Sequence, residues 1–420
     1  MRKVDENLDA QTILASGTSP KVLEKAGVSE AEIFLAVTNS DEANLIACLM
    51  ADIISPKTKK IARLRNTDFE SYHKNFKQYA PHIETIINPE IEAVKTIQDL
   101  IIIPGAIDTG EFEGGKIKYI GFRLGNDTAI TGIPLYELPS VLGQDRLLIV
   151  AVIRNKKLII PQGNDQLYPG DYMYIISKQG NIQKIMSLFD RKHQPAKRIL
   201  IIGGGSIALR LARALEHKKN FQLKLIEKDV SRCKQLAEQL DKTIVLQGDG
   251  TDQILLQEEY IKDTDFVVTL TNDEETNILS SLLAKQLGAK KAITSISKFS
   301  YFPLLPTIGI ELFVNPRLSA INTILKYIRK GKVLTVSTIK GEQAEFMEAV
   351  ALETSDIVER PLKTISMPKS TLITSIIRND EIIIPHGDSI IHTGDRIILF
   401  TRRQDIPKIE KFLTVKLEYF

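Results

Sequence analysis

The run Gly203-Gly204-Gly205-Ser206-Ile207-Ala208 has the form G-x-G-x-x-A and follows directly on the apolar stretch Ile199-Leu200-Ile201-Ile202. Residue types in this order can cradle a phosphate. Gly203 permits a tight turn, Gly205 lets the backbone approach a pyrophosphate, and a small residue such as Ala208 allows a helix to pack closely on a strand. The anion would rest on the N–H groups at the start of the helix that opens with Ser206 and Ile207. Glu227 closes the next strand-like stretch, 22 residues beyond Gly205. A carboxylate there accepts hydrogen bonds from ribose hydroxyls and repels a 2′-phosphate, which favours NAD or an adenosine nucleotide over NADP. Lys228 softens that exclusion, and a solvated strand end is the alternative reading of Glu227. Thr271-Asn272 ends a further strand, on the carboxyl edge where ligands bind in such sheets. Asn272 or Asp273 could equally cap the helix that follows. Asp249-Gly250 lies on the same edge, and an Asp-Gly turn explains it as well as ligand contact does.

Residues for covalent or acid–base chemistry do not assemble in the same way. The six histidines (His73, His82, His193, His217, His386, His392) are scattered without metal-type spacing, and His386 and His392 fall in turn-like stretches. Cys48 lies within the apolar stretch Leu45 to Ala51 and reads as a core thiol; Cys233 has no C-x-x-C partner. A dehydrogenase needs a proton donor or acceptor beside the nicotinamide, and none is evident. The residues support binding rather than catalysis, with an NAD-dependent oxidoreductase as the alternative that the glycine loop alone would permit.

The elements that must position these residues follow from apolar periodicity. From Arg198 onward, short apolar runs alternate with helical stretches: strands at 198–202, 222–227, 243–247 and 266–270, helices at 206–217, 231–240 and 274–287. Continuous apolar strands between helices indicate a parallel sheet covered on both faces, a Rossmann-like pattern. A second pattern, with strands at 371–378 and 396–400, an intervening piece at 381–384 and a helical stretch near 361–365, reads as a small α+β lobe punctuated by Pro385-His386-Gly387-Asp388 and Thr393-Gly394-Asp395.

Both patterns occur twice. Ile33 to Asn44 aligns with Phe266 to Asn277 at an offset of 233, as does Gly17-Thr18 with Gly250-Thr251. Ile153-Arg154-Asn155 through Gly170-Asp171 aligns with Ile377-Arg378-Asn379 through Gly394-Asp395 at an offset of 224. The expected organisation is therefore a first Rossmann-like lobe at 1–87, a linker helix and small lobe at 88–190, a second Rossmann lobe at 196–314, and a second linker helix and small lobe at 315–420. Asn88-Pro89 and Asn315-Pro316 each place a capping Asn before Pro at the first helical position. In the second helix Leu318, Ile321, Leu325 and Ile328 form one apolar face, Gly331 stops the helix, and the face must bury against its own lobes or a partner.

The whole-chain composition agrees with a multidomain globular protein. Lys+Arg 55 against Asp+Glu 52 gives a net charge of +3 over 420 residues, too balanced for a nucleic-acid partner. Two cysteines cannot build a disulfide framework, which points to a reducing compartment. The longest uncharged stretch, Phe299 to Ile310, is broken by Pro303 and Pro306 and falls short of a membrane span, and the first residues lack the apolar core of a signal peptide.

The two T-N-x-[DE]-E-x-N segments, the Gly203 loop with Glu227, and Ile61-Ala62-Arg63-Leu64-Arg65 give the chain a resemblance to the regulatory subunits of Trk potassium-uptake systems, built as two tandem RCK (regulator of potassium conductance) units. The resemblance spans essentially the whole chain. It implies NAD(H) binding, or ATP or ADP, with ring-forming homo-oligomers docked beneath a separate membrane pore subunit on the inner face of the cell membrane. It further implies nucleotide contacts at Gly203 to Ile207, Glu227, Thr271 and Asn272 in the second unit, and at Thr38, Asn39 and Arg63 in the first. No potassium site on this chain is implied.

One departure stands out. At the offset of 233, the strand opening at Arg198 would fall at position −35, ahead of Met1. The expectation is an N-terminally truncated chain whose first Rossmann lobe lacks its first strands and its glycine loop.

Overall fold

The computed structural model describes residues 10–66, 68–69, 72–103, 105–125, 130–138, 148–182, 185, 195–218, 220–329, 332–339 and 343–413. Gly331 and His193 lie outside the described residues. The chain divides into two compact units, Met1–Glu90 and Ile91–Phe420. Among the described residues no helix is long and apolar enough to cross a membrane.

In the first unit, α1 (Pro20–Lys25), β1 (Ile33–Ala36), α2 (Asp41–Ile54), β2 (Lys59–Arg63), α3 (His73–Gln78) and β3 (Ile83–Ile87) follow one another. The three strands form a parallel sheet in the order β1-β2-β3. Ser40 caps α2 by accepting from the Ala43 N–H, and Ala47, Cys48 and Ala51 turn one face of that helix inward. Cys48 is fully buried, and burial pushes its thiol up to about 12, so it is a core residue and not a nucleophile.

The second unit begins along α4 (Pro89–Ile102). It continues with β4 (Ala106–Phe112), β5 (Ile117–Arg123), β6 (Leu148–Arg154), β7 (Lys157–Ile159) and β8 (Tyr172–Lys178). The Rossmann-type elements are β9 (Arg198–Ile202), α5 (Ser206–Glu216), β10 (Gln222–Glu227), α6 (Val230–Gln239), β11 (Ile244–Gln247), α7 (Gln253–Glu258), β12 (Phe266–Thr269), α8 (Glu274–Gln286), β13 (Lys291–Ser295) and β14 (Leu312–Val314). A second small lobe holds α9 (Pro316–Ile328), β15 (Val333–Thr338), β16 (Ala344–Val350), β17 (Thr371–Arg378), β18 (Glu381–Ile383), β19 (Arg396–Arg402) and α10 (Ile406–Leu413).

The six parallel strands run in the order β11-β10-β9-β12-β13-β14, so the chain reverses direction across the sheet between β10 and β12, on either side of β9. That reversal opens a crevice at the carboxyl ends of the strands. Ile199, Leu200, Ile201 and Ile202 are all buried because helices cover both faces of β9. Helix α5 packs through Ala208, Leu211, Ala212 and Leu215, one stripe at helical spacing.

The two small lobes share a topology, β4-β5-β8-β6-β7 and β15-β16-β19-β17-β18, both antiparallel. Their repeated Arg-Asn and Gly-Asp residues prove to be architecture. Asn155 and Lys156 (φ 51° and 63°) and Asn379 and Asp380 (φ 48° and 65°) form the two-residue hairpin turns, in the left-handed conformation that matches strand twist. The preceding arginines clamp bidentately the Asp that follows the turn before the lobe's next long strand. Arg154 donates to Asp171 at 2.8 and 2.7 Å, and Arg378 to Asp395 at 3.0 and 2.7 Å.

Two sequence expectations need correction here. The helical stretch near 361–365 is only a 3-10 turn, Leu362–Thr364, and the small lobe has five strands rather than three. The apolar face of the second linker helix is not fully covered. Whereas α4 buries Ala93, Val94, Ile97, Leu100 and Ile101, in α9 Ile321 is 37% and Ile328 53% exposed.

The small lobes pack against each other through Phe112, Tyr119 and Tyr174 on one side and Phe346 and Phe400 on the other, with Tyr119 stacked on Phe346 at 4.6 Å. At the rim of this core Arg396 donates to Glu113 at 2.6 Å, and Glu348 is buried beside them. Burial and the Glu113 carboxylate raise the Glu348 carboxyl above its ordinary value, against the pull of Thr335, the Glu113 N–H and Arg396. A raised carboxyl binds its proton more tightly in the folded state, so Glu348 detracts from stability above that range and ceases to do so once the pH falls below the ordinary carboxylate value. Glu348→Gln is expected to raise the melting temperature at pH 7, with the gain vanishing toward pH 4. A gain equal at both pH values, or a loss at pH 7, contradicts this assignment.

Candidate nucleotide crevice

The glycine loop leaves β9 from a fixed point, because the Gly203 N–H continues the ladder to Ile226 O at 2.8 Å and the Leu270 N–H to Ile202 O at 2.7 Å. Gly203 has φ +99°, and a Cβ there would stand 2.8 Å from both Leu270 C and Thr271 N. Only glycine meets both conditions. A Cβ on Gly204 would lie 2.6 Å from Leu236 Cδ1 and 2.7 Å from Glu227 Oε2. Gly205 differs: its φ is ordinary, and a Cβ would find only Leu270 O, at 3.9 Å. The space beside Gly205 is therefore open crevice and not protein.

Helix α5 begins at the next residue, so Ser206 and Ile207 form its first turn, where N–H groups have no intrahelical acceptor and the helix dipole favours an anion. Opposite stands Glu227. Its Oε2 accepts the Gly204 N–H at 2.6 Å and its Oε1 the Asp229 N–H at 2.8 Å, so the carboxylate is locked in place at the end of β10. It is not the solvated strand end of the alternative reading. Arg232, which the sequence did not single out, donates to Gly204 O at 2.8 Å and ties α6 to the loop.

The far wall is formed by Leu270, Thr271, Asn272 and Asp273, and the floor by Gly248 to Thr251. The cleft these elements enclose has a volume of about 350 Å³, within the size range of small-molecule sites. Asp249 accepts from the Thr251 N–H at 2.9 Å and hydroxyl at 2.7 Å and pairs with Lys228 at 3.1 Å. The Thr251 bonds, with help from Lys228, hold its carboxyl down at about 2. The crevice thus presents carboxylates on the strand side and a helix N-terminus on the loop side. That polarity suits a ligand with hydroxyls at one end and phosphate at the other.

The expected residues Gly203, Gly204, Gly205, Glu227, Thr271 and Asn272 line one cleft, with Ser206 and Ile207 adjoining it. Asp273, rather than Asn272, caps α8, accepting the Thr276 N–H at 2.7 Å. The Thr271 hydroxyl is engaged internally, with Asn277 Oδ1 at 2.8 Å, so Thr271 meets the crevice through its backbone. Thr38, Asn39 and Arg63 form their own cluster in the first unit. There Arg63 donates to Thr38 O at 2.6 Å and to Asn39 Oδ1 at 2.9 Å, and the Thr38 hydroxyl donates to Asn44 Oδ1 at 2.7 Å. No glycine loop of the G-x-G-x-x-A form occurs anywhere in residues 1–90.

The one metal-type grouping among the described residues, Glu216, His217 and Asp241, lies at the other end of α5. There Glu216 already accepts from the Lys242 N–H and the Thr243 hydroxyl at 3.1 and 3.0 Å, a tie between helix and strand.

Two parallel α/β sheets, each followed by an antiparallel lobe of one repeated topology, with a nucleotide-type crevice in one of them, define a tandem fold of the RCK type. Comparison with known proteins agrees. The TrkA-N domain family is matched by residues 1–89 and 199–316, and the TrkA-C domain family by residues 119–190 and 346–414. The chain is 36% identical to the Trk system potassium uptake protein TrkA homolog 1 of Methanosarcina mazei, over 98% of this chain and 92% of that one. It is 35% identical to the Trk system potassium uptake protein TrkA of Halomonas elongata, over 100% and 92%. Among solved structures, the RCK domain of GsuK superposes with a TM-score of 0.61 at 18% identity, covering 98% of this chain and 87% of that one. The GsuK channel bound to NAD gives 0.58 at 17% identity, covering 98% and 72%. The chain belongs to the TrkA family of potassium uptake proteins.

Proposed function

We propose that this chain is a cytoplasmic nucleotide sensor that binds NAD(H), or ATP or ADP, in the Gly203 crevice and thereby controls a separate membrane pore subunit for potassium. The observation that carries the reading is the open space beside Gly205 between the start of α5 and the locked Glu227 carboxylate. A pyrophosphate would lie along Gly205 and the first turn of α5, and the adenosine ribose would meet Glu227. The likeness in fold to a channel bound to NAD supports the same class of ligand. In this reading the four-lobe organisation at 1–87, 88–190, 196–314 and 315–420 assembles as a ring of identical chains on the inner face of the membrane. Thr38, Asn39 and Arg63 are, in this reading, the nucleotide-contacting residues of the first lobe. Nucleotide shifts the ring between states only through a difference in affinity for them.

A thermal-shift titration with NAD+, NADH, ATP and ADP tests this. Binding to the native state alone contributes about 2.7 kcal/mol at a hundredfold excess over Kd. A saturable rise in melting temperature with NAD(H) or adenine nucleotide, with neither consumed, is the expected result. No rise with any of the four contradicts the reading.

A further inference from the structure

Asn277 sits on α8 and is 1% exposed, yet its side-chain amide is fully satisfied by backbone and hydroxyl groups of two strand ends. Its Oδ1 accepts the Thr271 N–H and the Thr271 hydroxyl, both at 2.8 Å. Its Nδ2 donates to Thr271 O and to Ser295 O, both at 3.1 Å. These four bonds tie the end of β12 to the end of β13, and they hold Thr271 by its donor and its acceptor at once. Thr271 is in turn the wall against which the glycine loop closes, since a Cβ on Gly203 would stand 2.8 Å from Thr271 N.

The same device recurs in the first unit at the equivalent position. Asn44 Oδ1 accepts the Thr38 N–H at 2.8 Å, and Nδ2 donates to Thr38 O at 3.2 Å and to Arg63 O at 2.8 Å. The repetition shows that the final Asn of each T-N-x-[DE]-E-x-N segment fixes the threonine six positions earlier, and that each threonine hydroxyl is spent on that asparagine.

We infer that Asn277 is the positioning residue of the nucleotide crevice, setting the separation between the Leu270–Asn272 wall and the Gly203 loop; this rests on the nucleotide reading given above. A buried amide with four partners cannot be shortened without freeing the Thr271 peptide. The freed peptide can then rotate into the space that the ligand needs.

The test compares NADH affinity, read by fluorescence titration, in the 420-residue wild-type chain, Asn277→Ala and Thr243→Val. Thr243→Val removes a buried hydrogen bond of the same lobe at the opposite end of its strands, and so reports the effect of destabilisation alone. Asn277→Ala is expected to weaken NADH by about tenfold. Thr243→Val lowers the melting temperature and leaves the affinity within about twofold, because its hydrogen bond lies away from the crevice. Hydrogen exchange over residues 266–273 gives a signature that a stability effect does not: faster in Asn277→Ala without ligand, and no longer slowed by NADH. Should Asn277→Ala not fold, Asn277→Asp keeps an acceptor for the Thr271 N–H and loses the two donations, and it too is expected to weaken NADH. Wild type that binds NADH alongside an Asn277 variant that binds it equally well overturns this inference and leaves the nucleotide reading standing. Wild type that binds none of NAD+, NADH, ATP and ADP overturns both.

Discussion

Gly205→Val is expected to leave the protein folded and to weaken NAD(H) by about a hundredfold or more, equivalent to about 2.7 kcal/mol. The geometry gives both halves of that expectation. Gly205 has an extended backbone, and a Cβ there makes one ordinary contact, with Leu270 O at 3.9 Å, so the chain accommodates the side chain without strain. The two methyl groups instead occupy the channel between the start of α5 and the far wall, where a pyrophosphate would have to lie. Circular dichroism and melting temperature should match wild type while the nucleotide-induced thermal shift disappears. A folded Gly205→Val protein with unchanged affinity removes the glycine loop from the site.

Gly203→Ala should behave in the opposite manner. With φ +99° and a Cβ forced to 2.8 Å from the Leu270 and Thr271 backbone, the alanine must displace main chain on both sides of the sheet's central crevice. Left-handed strain and overpacking together cost about 3 kcal/mol. The variant should melt well below wild type whether or not nucleotide is present. A Gly203→Ala protein as stable as wild type would show that the loop adopts a different backbone from the one described here. The contrast between neighbouring glycines separates the position needed for folding from the position needed for the ligand.

Much of this site could be read from the residues, since its determinants are local. G-x-G-x-x-A between an apolar run and a helical stretch specifies its own backbone, and Glu227 is fixed by strand spacing. The internal repeat located the matching wall at Thr271. What could not be read is how that wall is held. Asn277 entered only as the last letter of a repeated segment, and nothing in its spacing announces a tie to Ser295, which is remote in sequence. Arg232 gave no signal at all.

The small lobes were harder to read, for a different reason. Strands β5 and β16 carry charged residues at buried positions: Lys118 paired with Asp99 at 2.7 Å, Glu345 with Arg329 at 2.8 Å, and Glu348 beside Glu113. Each breaks the apolar run by which a buried strand is recognised, and the ion-pair partners that hold Lys118 and Glu345 come only from tertiary structure. The turns at Pro385-His386-Gly387-Asp388 and Thr393-Gly394-Asp395 were legible because turn chemistry is local; the strands that their lobe packs against were not.

The most direct test of the account is a calorimetric titration of the 420-residue chain with NADH, followed by the same titration on Gly205→Val. The account predicts saturable binding of one nucleotide per chain at the Gly203 crevice, no loss of NADH absorbance over time, and no measurable binding to the folded variant. Absence of binding to wild type of NADH and, in the same titration, of NAD+, ATP and ADP, or equal binding to both proteins, would contradict it.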